Sequence, residues 1–572
     1  MVQTKAHMPF CRITCIGTLF VTLLPIHSQQ ASATDAPVSA PATDTPISTP
    51  AGDAQIFAPA GEFRTIHNDV FWHDTSGAPL YSQGGGIFRF MDPATNRERY
   101  YWYGVRYTAA QSYHADPTVT AEDAVFDAVT CYVSDNLVDW SFSGDVLTRT
   151  ALEEHGTVGW VGRLGVAKLP GEVGYAMLVQ YGGGAGSGVL IATAQQPANT
   201  FRWHRLRTMT DYTGLPTTGD QTVFTDPDDG RSYLVYSYGR GRNRIYVSEI
   251  GMKADSVELL DCTEVYHGES REGNCMFKRG GKYYMCASNI YGWDGSLAYY
   301  LCADTICGPY TPVNDMQVME GCEADYCHVS QTGFFYTLRR GDQETVLFCG
   351  DRWANFAGNG LGYNQWVPLS FDEEGRPCYN SLSVWALNEA TGEWRVAPDN
   401  NYVRNGSFEA DRRTIPNPVK PRQEYLSGWT TEVLRGNHVG VDSLNSPQLN
   451  YLNRRSDRRE VTGEKSLYMS DVVPFTRRVS QVVTATPYVP LTDGSYTLCA
   501  RVRHHGTFAR LEVYAESGGE TFTTAVTTPA ETWCTVVVPA VQVKDGRAVV
   551  GFYAEGEADA ACWVDDVSFC RD

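Results

Sequence analysis

The sequence predicts an all-β protein of two folded units behind a short N-terminal leader. Three observations carry this. The 572 residues include 54 glycines, 33 tyrosines and 13 tryptophans, a composition that suits short pleated strands joined by tight turns. An entry strand, a polar turn and a Tyr-rich strand then recur along residues 56–398. Finally, the chain is far longer than the roughly 250–300 residues at which one core stops growing, and its character shifts near residue 400.

Five repeats are legible. The first holds Ile87 to Phe90 and Tyr100 to Tyr103; the second, Leu164 to Lys168 and Tyr175 to Gln180; the third, Val223-Phe224 and Tyr233 to Tyr236 around Asp228-Asp229-Gly230. The fourth holds Met276-Phe277 and Tyr283 to Met285 around Arg279-Gly280-Gly281; the fifth, Phe334 to Tyr336 and Val346 to Phe348. Each unit is roughly 50–70 residues, enough for a four-stranded blade, and blades bury both faces only by stacking around an axis. The expectation is a five-bladed β-propeller over 56–398, with a β-sandwich of many hairpins as its rival. Beyond the turn cluster Pro398 to Asn401, period-2 strands at Ser480 to Thr484, Ser495 to Val502, Ala509 to Tyr514, Cys534 to Val538, Ala548 to Ala554 and Trp563 to Phe569 predict a second all-β domain over 402–572.

The N-terminus reads as an export signal over 1–33: Lys5 and Arg12 precede or flank an apolar run from Ile13 to Ile26, and Ala31-Ser32-Ala33 offers a small-residue cleavage site. Residues 34–55, with Pro37, Pro41, Pro46 and Pro50, read as an extended tether. The expected location is the periplasm or the exterior of a bacterial cell. The formal charge of −20, deepened by loss of Lys5 and Arg12, opposes nucleic acid and anionic lipid as partners, and no other run suits membrane insertion. Fourteen of the 16 cysteines lie beyond residue 33; Cys302/Cys307 and Cys322/Cys327 are the closest spacings for disulfides, buried free thiols the alternative.

Chemistry is sought at the starts of entry strands, which face a propeller's channel. Glycosidic cleavage needs a proton donor and a group that activates water. Glu272, directly ahead of the fourth entry strand, is the best acid: burial beside aromatics keeps such a carboxyl protonated. A structural ion pair is the plainer reading. Asp220 holds the corresponding place in the third blade and is placed to orient Glu272 and raise its pKa by like-charge repulsion. Trp160, Tyr291, Trp293, Trp353 and Trp366 are candidate sugar platforms, and Gln83, Arg163 and Arg352 candidate hydroxyl partners.

Arg271-Glu272 before Phe277 to Tyr284, then Ser288 and Gly292-Trp293, resembles the general-acid segment of glycoside hydrolase family 43. Ser82 to Ile87 with Tyr100 to Gly104, and Ser330-Gln331-Thr332 with Gly350 to Trp353, resemble its exo-β-1,3-galactanase branch. Gly360 to Ser370 and Asn405 to Arg412 are similar to its subfamily 34. The resemblance implies Glu272 as general acid, Asp220 as pKa modulator and an inverting mechanism needing no cofactor. The family's first-blade Asp base is absent, Gln83-Gly84-Gly85-Gly86 standing there, and Gln331 matches the branch's water-positioning glutamine. His328, Asp69 and Asp351 are substitute proton acceptors. The branch's second-blade Glu matches Gly162.

The implied activity is exo-acting removal of terminal α-L-arabinofuranosyl or β-D-galactofuranosyl units from poly- or oligosaccharides. The alternatives are an exo-β-1,3-galactosidase on arabinogalactan and a non-catalytic glycan-binding propeller. The C-terminal region resembles jelly-roll carbohydrate-binding modules that open on Asn405 to Glu409 and close on Asp565 to Phe569. There the two ends pair as neighbouring strands, and Glu409 and Asp566 are expected to share a structural calcium.

Overall fold

The computed structural model describes residues 61–108, 110–119, 125–292, 294–354, 361–411, 426–440, 449–527 and 531–572. The expected signal and tether, 1–33 and 34–55, lie outside them. Among the described residues no helix is long and apolar enough to cross a membrane. The described residues are all-β: their longest helix is Ala110–Ala115.

Five antiparallel sheets follow one another along the chain, each wound outward from its first strand. Those first strands are Gln83–Asp92, Val158–Lys168, Thr218–Thr225, Glu272–Arg279 and Gln331–Arg340. Each contacts the first strand of the next sheet, and the fifth contacts the first, so the five close a ring. All five sequence repeats fall on the first two strands of these sheets. The turns form as the residues dictate: strands Glu272–Arg279 and Lys282–Ser288 are joined by Gly280 and Gly281 at φ 56° and 74°, and a two-residue loop with both φ positive is nearly a glycine monopoly. The third sheet carries a fifth strand, Thr263–His267, paired to Arg244–Lys253.

The ring's two ends are clasped separately. Phe63–His67, ahead of the first sheet, pairs with Val384–Asn388, beyond the fifth, and Trp394–Val396 completes a three-stranded sheet. Asn68 reinforces the clasp: its side-chain amide donates to Trp366 O and Leu382 O and accepts from Trp366 N. Beside it lies a buried indole cluster in which Trp366 meets Trp102 at 4.7 Å and Trp72 at 4.9 Å between ring centroids.

The C-terminal region forms two five-stranded antiparallel sheets. One runs Thr430–Arg435, Phe475–Thr484, Arg547–Gly556, Phe508–Ser517, Glu520–Ala525; the other Asn450–Leu452, Lys465–Ser470, Ala561–Arg571, Gly494–His505, Cys534–Val543. Alternate residues such as Leu498, Ala500 and Val502 against Val550, Phe552 and Ala554 supply one shared apolar core, as strand periodicity requires. Every strand expected here is present. Thr430–Arg435, Asn450–Leu452, Lys465–Ser470 and Glu520–Ala525 are additional.

One expectation needs correction, and of the two readings of the cysteines the free-thiol one is observed. The opening segment Asn405 to Glu409 is a turn, not a strand, although Val567 N still donates to Gly406 O at 2.9 Å and Tyr402 N to Phe569 O at 3.1 Å. All 14 cysteines from Cys131 to Cys570 are free thiols, and neither Cys302/Cys307 nor Cys322/Cys327 is bridged. Cys322 and Cys327 are buried, where a thiol packs as a small apolar side chain.

Candidate active site

Each first strand is irregular near its start. Register shifts fall between Gln83 and Gly86, Val158 and Leu164, Thr218 and Gln221, Glu272 and Cys275, and Thr332 and Phe334. A glycine lies in every one: Gly84, Gly162, Gly219, Gly273 and Gly333. Bulges re-aim side chains and end pairing locally; five at one end of a ring converge Gln83, Arg163, Asp220, Glu272 and Gln331 on a cavity of about 220 Å³. Gly273 shows why: it has φ 60°, and a Cβ there would stand 2.5 Å from Thr332 O.

Glu272 is buried, 6% exposed. Its Oε1 accepts from Gln331 Nε2 at 2.8 Å and its Oε2 lies 3.0 Å from Arg242 Nη1. Burial, and then the neighbouring Asp220 charge, push its carboxyl up to about 8, against the pull of Arg242 and Arg163. Asp220 goes the other way. Burial alone would raise it, but Arg163 and Arg242 outweigh burial and hold it below the ordinary value. Asp220 does not hydrogen-bond Glu272. Its Oδ2 accepts from Gly273 N at 2.9 Å and from Arg163 Nε at 3.0 Å, so it fixes the backbone that carries Glu272. Two carboxyls with pKa values pushed apart mark a division between acid and charged partner.

Arg163 lines the cavity and ties the site together. Besides Asp220 it donates to Asp351 Oδ2 at 3.1 Å, Gln331 Oε1 at 2.8 Å and Thr332 O at 3.2 Å. Gln331 Oε1 also accepts from Trp353 Nε1 at 3.0 Å. Two donors on the amide oxygen set its orientation and leave Nε2 toward Glu272. Asp351, raised by burial, accepts from Gly84 N at 3.1 Å behind the cavity wall.

Gln83 and Trp353 also line the cavity. Trp366 does not: it is fully buried in the indole cluster, on the third strand of its sheet, Leu361–Phe371. Arg352 does not either. It alternates with Asp351 and Trp353 on one strand and so faces the opposite side, donating to Asp69 Oδ1 at 2.7 Å and to Ser407 Oγ of the C-terminal region at 3.3 Å. Trp293 lies outside the described residues. His328 Nε2 sits 2.7 Å from Asp69 Oδ2. Burial would lower the imidazole, but Asp69 and Asp325 hold it up at about 10, so it is a charged clasp and not a proton acceptor at neutral pH.

Three polar cavity residues escaped the sequence reading: Arg242, Gln180 and Tyr107. Trp160, 42% exposed and stacked on Tyr107 with ring centroids 6.3 Å apart, is the platform best placed at the rim. At Gly162 a Cβ would stand 2.5 Å from Gln180 Oε1 and 2.6 Å from Trp160 Nε1, so no glutamate enters there without moving both.

Residues 110–339 match the family model described as glycosyl hydrolases family 43. That stretch is a family 43 glycoside hydrolase segment. An exo-beta-1,3-galactanase from Phanerochaete chrysosporium, solved as a variant with beta-1,3-galactotriose, superposes at TM-score 0.50 and 20% identity, covering 88% of this chain and 100% of that one. Its form with galactose gives the same values. An exo-beta-1,3-galactanase from Clostridium thermocellum aligns at TM-score 0.49 and 18% identity over 88% and 100% of the two chains. No curated protein matches the chain. The converging carboxyls Asp220 and Glu272 lie within the stretch the family model covers.

Proposed function

We propose that the five sheets are the blades of a five-bladed β-propeller over 56–398, that the two C-terminal sheets are a jelly-roll module over 402–572, and that the propeller cleaves terminal furanosyl units by inversion. The observation that carries the chemistry is Glu272, protonated near neutral pH at a cavity wall and braced by Gln331, while Asp220 stays charged beside it. Glu272 is then the general acid that protonates the leaving glycosidic oxygen. Asp220 sustains that proton affinity. Gln331 gives one amide hydrogen to Glu272 and positions water with the other; with its oxygen held by two donors it does not take up the water's proton, which passes to bulk solvent at the cavity mouth.

A cavity of about 220 Å³, below the roughly 300–1,000 Å³ of drug-sized sites, supports admission of one terminal sugar, hence exo action. The crowded Gly162 wall supports a ring other than the galactopyranose of the galactanase branch. An exo-β-1,3-galactosidase is the second reading, favoured by the alignment of both domains with a galactanase over its whole length. Release of product from aryl α-L-arabinofuranoside, β-D-galactofuranoside and β-D-galactopyranoside separates them. Sugar bound but never released marks a non-catalytic propeller. Proton NMR of the first-formed sugar is expected to show the inverted anomer; the retained anomer appearing first means a nucleophile instead of a water attack.

We also propose export to the periplasm or cell exterior, and a structural calcium held by Glu409 and Asp566. Among the described residues no three His, Cys, Asp or Glu side chains form a metal group, so calcium would need oxygen donors beyond these two side chains, which already accept from Lys465 N and Thr462 N. The donor chemistry fits: burial pushes Glu409 up to about 7 and raises Asp566 too, a penalty that a hard divalent cation relieves. The melting temperature of the full chain is expected to rise with calcium and fall with chelator; an unchanged melt in both removes the metal.

A further inference from the structure

The cavity's two arginines are used differently. Arg163 is 5% exposed in its side chain and donates to four protein acceptors. Arg242 is 37% exposed and stands at the mouth, with Nη1 3.0 Å from Glu272 Oε2 and Nη2 3.7 Å from Asp220 Oδ1. It comes from the loop between strands Ser232–Tyr238 and Arg244–Lys253. That loop reads Arg240-Gly241-Arg242-Asn243, with Arg240 exposed. Residues 241 and 242 have φ 79° and 52°, and Arg271 N donates to Arg242 O at 2.8 Å, so the backbone beneath the guanidinium is fixed.

The pairing at the mouth changes in the form that works. A general acid must be neutral, and a neutral Glu272 no longer pairs with Arg242. Arg163 has both Asp220 at 3.0 Å and Asp351 at 3.1 Å, and Arg242 keeps only the more distant Asp220, at 3.7 Å. Arg242 therefore loses its closest counter-charge as the substrate arrives to cover it. A guanidinium covered by substrate with one carboxylate at 3.7 Å keeps unused donors whose desolvation is costly, and its planar fork suits a carboxylate or sulfate.

We propose that Arg242, with Arg240 beyond it on the same loop, forms a subsite for an anionic substituent, a uronic acid carboxylate or a sulfate ester, on the sugar that leaves at the cavity mouth. This rests on the glycosidase reading. The chain's overall charge of −20 repels polyanions, but beyond about 8–10 Å that field is screened in physiological salt. Selection is local, for a single anionic residue beside the scissile bond.

Titration calorimetry of the full chain with D-glucuronate, D-glucose 6-sulfate and D-glucose at pH 6.5 tests this. At least tenfold tighter binding of an anionic sugar than of glucose is expected, and glucuronate alone or the sulfate alone tells carboxylate from sulfate recognition. Arg242→Gln should abolish the preference and Arg240→Ala should reduce it. Equal affinity for all three sugars overturns the proposal, as does a preference that survives in a folded Arg242→Gln. If that variant does not fold, the wild-type preference must fall with added sodium chloride and in Arg240→Ala; its persistence in both overturns the assignment. Aryl glycoside release in the same preparation keeps the two readings apart. Hydrolysis without anion preference defeats only this subsite, and anion preference without hydrolysis defeats only the glycosidase mechanism.

Discussion

Replacing Glu272 by glutamine is expected to lower turnover of a substrate with a sugar leaving group by about 10²–10⁴-fold, the range supplied by a positioned general acid. The amide fills the same volume and still accepts from Gln331, so the fold and sugar affinity should be retained. Kinetics on the variant, with its melting temperature and sugar affinity alongside, make the check. Activity of a tenth of wild type or more removes Glu272 from the acid role. A parallel collapse of the melt would make it a structural residue, as its contact with Arg242 alone would suggest.

Arg163→Met should be the most destabilising single change in the cavity. It leaves Asp220 and Asp351 without the guanidinium that lies 3.0 and 3.1 Å from them, and breaking a buried pair by removing one partner costs about 3–5 kcal/mol. Gln331 would lose one of the two donors that orient it, so activity should fall even in the fraction that remains folded. Arg163→Lys keeps the charge but not the fork and should lie between the two. Denaturant unfolding measures the first effect, and rates per folded molecule the second. A Met variant as stable and active as wild type would show that the network contributes nothing.

How far the sequence reached depended on strand order. The five repeats were visible because each first pair of strands is aromatic and joined by a turn-forming segment such as Gly280-Gly281. Glu272, Asp220 and Gln331 were legible because they open such strands, and the glycine beside each was a further signal, marking the bulge that turns it inward. Arg242 was not legible, for it enters from an outer hairpin loop that carries no periodic mark. Trp366 misled because an indole in a strand reads alike whether it faces a sugar or a core, and only its place on a third strand excludes it from the axis. Arg352 failed on parity, since Asp351 and Trp353 already claim the other face. The opening of the C-terminal module was recognised, but its turn conformation was not, because positive φ at Asn405 and Phe408 breaks the alternation that a strand would show.

The most direct test is the pH dependence of kcat/KM on a glycoside whose leaving group is another sugar, since this quantity follows ionisations of the free enzyme. Glu272 must hold its proton to act, and burial with Asp220 pushes its pKa up to about 8. The rate should therefore be level through neutral pH and fall about tenfold per unit above roughly 8. A decline that begins near pH 5, where an ordinary glutamate ionises, or a rate still level at pH 10, would contradict a protonated Glu272 as the general acid.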